Sequence, residues 1–131
     1  MKTFMLLIAT LLIQQAHAAE LPVGTYGLHL FFNEQEFIDV LTLSKGDAGQ
    51  LKGHMDVPND FAGDIDSISL QGNEISFDLF VPKNASRPRD LIFHYRGTFF
   101  SQDHQQLIGY VTLKGQSGFV ASFTAFLREN P

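Results

Sequence analysis

Short runs in which every second residue is apolar, each followed by a turn, recur about eight times along this chain. The clearest is Ile75-Ser76-Phe77-Asp78-Leu79-Phe80-Val81, with Ile75, Phe77, Leu79 and Val81 on one face. A side-chain period of two marks a strand, and many short strands punctuated by turns mark a sandwich or a barrel. The pattern predicts strands over Gly24–Phe32, Glu36–Ser44, Gln50–Val57, Ile65–Leu70, Glu74–Val81, Asp90–Phe100, Gln106–Lys114 and Gly118–Arg128. Most links are short and rich in Gly, Asn and Asp, which tolerate the positive φ that hairpin turns demand. Two longer links, Pro58–Asp64 and Pro82–Arg89, each contain proline, which cannot donate to a ladder.

Short links make consecutive strands antiparallel neighbours, so the expected topology is a meander. An eight-stranded meander closes into an up-and-down barrel and removes its exposed edges. The alternative is a β-sandwich. Gly53, Gly97 and Gly109 all fall mid-strand on the inward parity. Glycine there marks a tight bend or room for a large neighbour, which favours a curved, closed sheet.

The start of the chain has a different pattern. Lys2 precedes an apolar run, Phe4 to Ile13, and Ala16-His17-Ala18 is a small-x-small cleavage site. Residues 1–18 therefore read as a secretory signal peptide, leaving one barrel domain over 19–131. The run is about ten residues long, against roughly 20 for a membrane-spanning helix, so no anchor is expected after cleavage. The chain has no cysteine, so disulfides, thiol catalysis and Cys-ligated zinc are excluded. Export to a bacterial periplasm or medium is the simplest expectation. Cleavage removes Lys2 and no acid, so the formal charge of −5 becomes one unit more negative. That balance argues against nucleic acid and anionic membrane as partners.

The string Gly49-Gln50-Leu51-Lys52-Gly53-His54-Met55-Asp56-Val57-Pro58 has a G-x-L-x-G-x-x-D-x-P form. It is followed by Gly63-Asp64-Ile65 through Leu70, Gly72-Asn73-Glu74-Ile75-Ser76-Phe77, Tyr95-Arg96-Gly97, Leu107-Ile108-Gly109 and Phe119. This order resembles a small exported β domain that precedes serine-hydrolase domains in secreted bacterial proteins. More loosely it is similar to lipocalin-like (calycin) barrels. The chain departs from that pattern where Lys114-Gly115-Gln116-Ser117-Gly118 replaces a Gln-Gly-Gly type turn. The resemblance implies a barrel without the hydrolase's catalytic segment.

Catalytic chemistry is sparsely represented. Gly115-Gln116-Ser117-Gly118-Phe119 lacks the last glycine of a nucleophile elbow and sits between two strands, so it reads as a hairpin turn. Mature-chain histidines are His29, His54, His94 and His104, too scattered for a zinc motif. His54 and Asp56 share one strand face and are the best candidates for a base and its orienter, or for a metal grip assisted by Asp39. Asp56, Asp60, Asp64 and Asp66 surround the Pro58–Asp64 link, where oxygen ligands would suit calcium, but the spacing fits no calcium loop. No catalytic residue, metal site or cofactor is assigned.

Two aromatic sets remain. Phe77, Phe93, Tyr95, Phe99, Phe119 and Phe123 have inward parity and either fill the bore or line an apolar ligand pocket. Phe31, Ile92, Phe100, Ile108, Tyr110, Val120 and Phe126 have outward parity on strands that neighbour one another in a closed meander. Phe31, Phe100, Ile108, Tyr110 and Phe126 form the best candidate for a protein-partner or homodimer surface. The expected function is a non-enzymatic binding module for a protein or a small apolar ligand. The alternatives are a hydrolase inhibitor presenting its long loops, or a small enzyme using His54 and Asp56.

Overall fold

A computed structural model describes residues 20–65, 67–116 and 118–129, the side chains of Phe119 and Glu129 excepted. Residues 1–18, read above as a signal peptide, and Asp66 and Ser117 lie outside the described residues. Nine strands form one antiparallel sheet: β1 Gly24–Phe32, β2 Gln35–Lys45, β3 Leu51–Val57, β4 Phe61–Ile65, β5 Ile68–Gln71, β6 Glu74–Val81, β7 Leu91–Phe99, β8 Gln106–Leu113 and β9 Phe119–Glu129. Their order, β4-β3-β2-β1-β9-β8-β7-β6-β5, curls the sheet into a nearly closed barrel.

The barrel has nine strands where eight were expected, and the difference lies at its seam. The predicted strand Ile65–Leu70 is two strands, and the predicted link Pro58–Asp64 contains the first of them. Phe61, Gly63 and Ile65 turn inward at odd positions, whereas Ile68 and Leu70 turn inward at even ones. No single strand can hold both phases. The chain therefore breaks between Ile65 and Ile68; β4 pairs with β3, and β5 pairs with β6. Proline belongs to the turn alone: Pro58-Asn59-Asp60 links β3 to β4, with Asn59 at φ 65° and the Asp60 amide donating to the Val57 carbonyl at 3.1 Å.

Side chains close the seam that the ladder leaves open. Ile68 of β5 packs over Gly53 of β3, where an added Cβ would lie 3.0 Å from the Ile68 Cδ1. Gly97 and Gly109 face each other across β7 and β8. A Cβ on Gly109 would overlap the Arg96 carbonyl, so only glycine permits that backbone approach.

Inward residues pack the bore. Tyr26, Leu28, Leu41, Leu43, Met55, Ile75, Leu79, Phe99, Leu107 and Phe123 are buried almost completely. Phe77 and Tyr95 stack with ring centroids 4.9 Å apart, and Tyr95 leans on Phe123 at 5.7 Å. At one end Tyr26 donates its hydroxyl to the His104 carbonyl at 2.8 Å, while Pro22 is buried and Leu21 packs against the core.

One inward–outward assignment is reversed. Val111 pairs with Ala121 but Thr112 pairs with Phe119, so β9 carries one extra residue, Val120. The bulge turns Val120 against the core rather than outward.

Candidate functional site

The opposite end of the barrel is not sealed. There β2 runs on past β3, which meets it only from Val40, while β1 stays paired with β9 as far as Phe31. The hairpin turns through Asn33 and Glu34, at φ 50° and 62°, the geometry of a two-residue hairpin that follows the strand twist. Its tip leaves Phe31, Phe32, Phe37 and Ile38 all between 43% and 47% exposed.

Beneath this overhang lies a small cavity of about 140 Å³, lined by Leu30, Phe32, Phe93, Tyr95, Val111, Val120 and Ala121. Every lining side chain is apolar except for the tyrosine hydroxyl. Of the six inward aromatics expected either to fill the bore or to line a pocket, Phe93 and Tyr95 line this cavity. Phe77, Phe99 and Phe123 are core instead, each at most 3% exposed, because the bore is packed at their level. The Phe119 side chain lies outside the described ones, and its backbone pairs with Thr112.

Asp39 is the unexpected member of this region. It is 3% exposed and continues the inward series of Leu41 and Leu43 on β2, opposite Leu28 on β1. It therefore points away from His54 and Asp56, which are exposed on the outer face, and cannot complete a metal grip with them. Burial, together with the charges of Asp56 and Asp60, pushes its carboxyl up to about 6. No cation pairs with it among the described residues, and no hydrogen bond draws its pKa down. Burial, and to a lesser extent the Asp39 charge, raises the Tyr95 hydroxyl above its ordinary value. Sequence reasoning missed the burial of Asp39, though the signal is visible: Phe37-Ile38-Asp39-Val40-Leu41 puts a charge where the alternation calls for an apolar residue.

A strap crosses the same end. The β6–β7 link, residues 82–90, turns tightly at Asn84–Arg87, with Ser86 donating its amide to the Asn84 side chain at 2.8 Å. Arg87 forks onto Asp60 of the β3–β4 turn through two bonds of 3.1 Å and also donates to the Pro82 carbonyl. Asn84 donates to Asp60 as well. The Arg87 bonds hold the Asp60 carboxyl below its ordinary value. Arg87 is thereby engaged with Asp60 and Pro82.

The remaining polar candidates stand apart. His54 Nδ1 lies 2.9 Å from Asp64, not against Asp56, in a shallow outer groove with Thr42, Ser44 and Lys52. His29 with Glu36, at 2.5 Å, and His94 with Asp78, at 2.7 Å, are further cross-strand pairs of the same kind. Among the described residues no three His, Asp or Glu side chains are placed to hold one metal ion. Asp60 and Asp64 of the acidic series are committed to Arg87 and His54.

On the outer face, Phe31, Phe100, Ile108, Tyr110 and Phe126 are all exposed. Ile108 and Tyr110 lie on β8, and Phe126 is diagonal to Ile108 across the β8–β9 ladder. Thr124 and Ser122 lie between them, and His29 meets the Phe126 ring edge-on at 5.9 Å. The surface is apolar but interrupted. No protein-family model, curated protein or solved structure matches this chain.

Proposed function

We propose that this protein is an exported, non-enzymatic binding module whose open barrel end receives a small apolar group. The reading rests on one observation: a bore packed with side chains along most of its length leaves an apolar cavity of about 140 Å³ beside the β1–β2 hairpin. An apolar cavity of roughly 150 Å³ accommodates benzene, so the space suits one ring or a short alkyl chain rather than a large lipid. An antiparallel barrel with a ligand at its mouth also accords with the lipocalin-like resemblance. Benzyl alcohol titrated by calorimetry tests the reading. Binding that Val111→Phe abolishes in a folded protein supports it; no heat of binding in the wild type rejects it.

A protein contact is the second reading, favoured by the five exposed residues Phe31, Phe100, Ile108, Tyr110 and Phe126. A contiguous exposed apolar patch beyond a few hundred Å² marks an interaction surface, and a second copy could complete the interrupted one here. Light scattering after size exclusion tests its homodimer form. A dimer dispersed by Phe126→Ser and Tyr110→Ser supports it, and a strict monomer at high concentration counts against it.

A further inference from the structure

We infer that the ligand of the open end carries a neutral hydrogen-bond acceptor, a carbonyl oxygen, beside its apolar group, and that the Tyr95 hydroxyl donates to it. This rests on the apolar mouth proposed above and adds the polar half of its chemistry.

Tyr95 is the one cavity-lining residue with a polar side-chain group, and it is 4% exposed. Phe77 stacks on its ring with centroids 4.9 Å apart, and Phe123 leans on it at 5.7 Å. Packed in this way, the ring turns its rim, which carries the hydroxyl, to the cavity. The backbone beside it has nothing to offer a ligand: Tyr95 pairs with Phe77 and Val111, and Val111 pairs in turn with Ala121. Tyr26 at the far end shows what a satisfied hydroxyl looks like, since it donates to the His104 carbonyl at 2.8 Å. The Tyr95 hydroxyl has no such bond among the described residues; burial alone dominates its surroundings and keeps it a neutral donor. A tyrosine hydroxyl taken out of water normally finds a partner, because an unmet donor costs the bonds it made to solvent. A ligand oxygen would supply that partner while the ring or chain beside it fills the apolar space. The lining holds no cation, so a carboxylate would enter unpaired and the acceptor is neutral.

Acetophenone and α-methylstyrene have nearly the same shape and differ in a C=O for a C=CH2. Calorimetry on residues 19–131 should find acetophenone about threefold to tenfold weaker in Tyr95→Phe than in the wild type, the range of one neutral hydrogen bond. The affinity for α-methylstyrene should be the same in both, which also reports that the variant folds. Infrared spectroscopy reads the bond itself. The carbonyl stretch of acetophenone bound to the wild type should lie below its value in hexane, and should return to that value in Tyr95→Phe. If the variant fails to fold, the wild-type stretch decides alone. An acetophenone affinity that survives Tyr95→Phe, or a hexane-like stretch in the wild type, overturns the inference, while binding of α-methylstyrene leaves the apolar mouth standing. Failure of both compounds to bind the folded wild type overturns the mouth and the inference together.

Discussion

The two ends of this barrel are built from the same alternation and finish differently. At one end Tyr26, Phe99 and His104 interlock: Phe99 lies 6.1 Å from the Tyr26 ring and 4.9 Å from His104, and the Tyr26 hydroxyl reaches the His104 carbonyl. Pro22 is buried there and Leu21 packs against the core. Burial pushes the Tyr26 hydroxyl up to about 12, so it stays a neutral donor. At the other end Phe32 and Phe37 are half-exposed on the hairpin, Phe32 lines a cavity, and Asp39 is buried further along β2. One end satisfies its polar groups internally, while the other leaves a carboxylate without a partner. Binding sites come from the less optimised parts of a structure, where stability is given up for an available surface.

The largest test of this contrast is at the sealed end. Phe99→Ala removes a ring that is 1% exposed, and a cost of about 3–5 kcal/mol is expected in urea denaturation. A cost under about 1 kcal/mol would mean that this end is not the anchored one.

Asp39 gives the opposite sign. Its folded value of about 6 lies above the ordinary 3.8, so the fold favours the protonated form. The penalty is absent below about pH 4, grows as pH rises through 6, and is complete above it. Asp39→Asn is therefore expected to stabilise by up to about 3 kcal/mol near pH 7 and by little near pH 4. Stability curves of the two proteins across that interval should converge at the acid end. Parallel curves would mean that the carboxyl is not perturbed.

That residue also shows how far the sequence could be read. Alternation identified the inward faces of most strands, because each apolar residue on them buys burial. It did not identify Asp39, since a lone acid on an apolar parity looks like a neighbour of Asp56 until the register is known. Parity also failed where a phase shift intervenes. Ile65 and Ile68 are both inward, and Val120 is inward through a bulge; neither irregularity has a strong local signal, since bulges are set by pairing with the next strand. The cavity depends on that bulge, so its lining was only partly legible.

Smaller effects sharpen the comparison. Tyr26→Phe deletes the bond to the His104 carbonyl and should cost about 1 kcal/mol by thermal denaturation. A neutral result would show that water replaces the hydroxyl. At the open end, Glu34→Gly relieves a non-glycine residue at φ 62° and should stabilise by about 1 kcal/mol. Phe37→Ser, on the half-exposed hairpin tip, should change stability by no more than about 0.5 kcal/mol. A much larger loss would place Phe37 in a packed surface and close the mouth.

Methyl NMR of residues 19–131 titrated with benzyl alcohol tests the central claim most directly. The account predicts shifts centred on the methyls of Leu30, Val111, Val120 and Ala121, with Leu28 and Leu107 unmoved. Shifts centred instead on Ile108 of the outer face, or none at all, would contradict it.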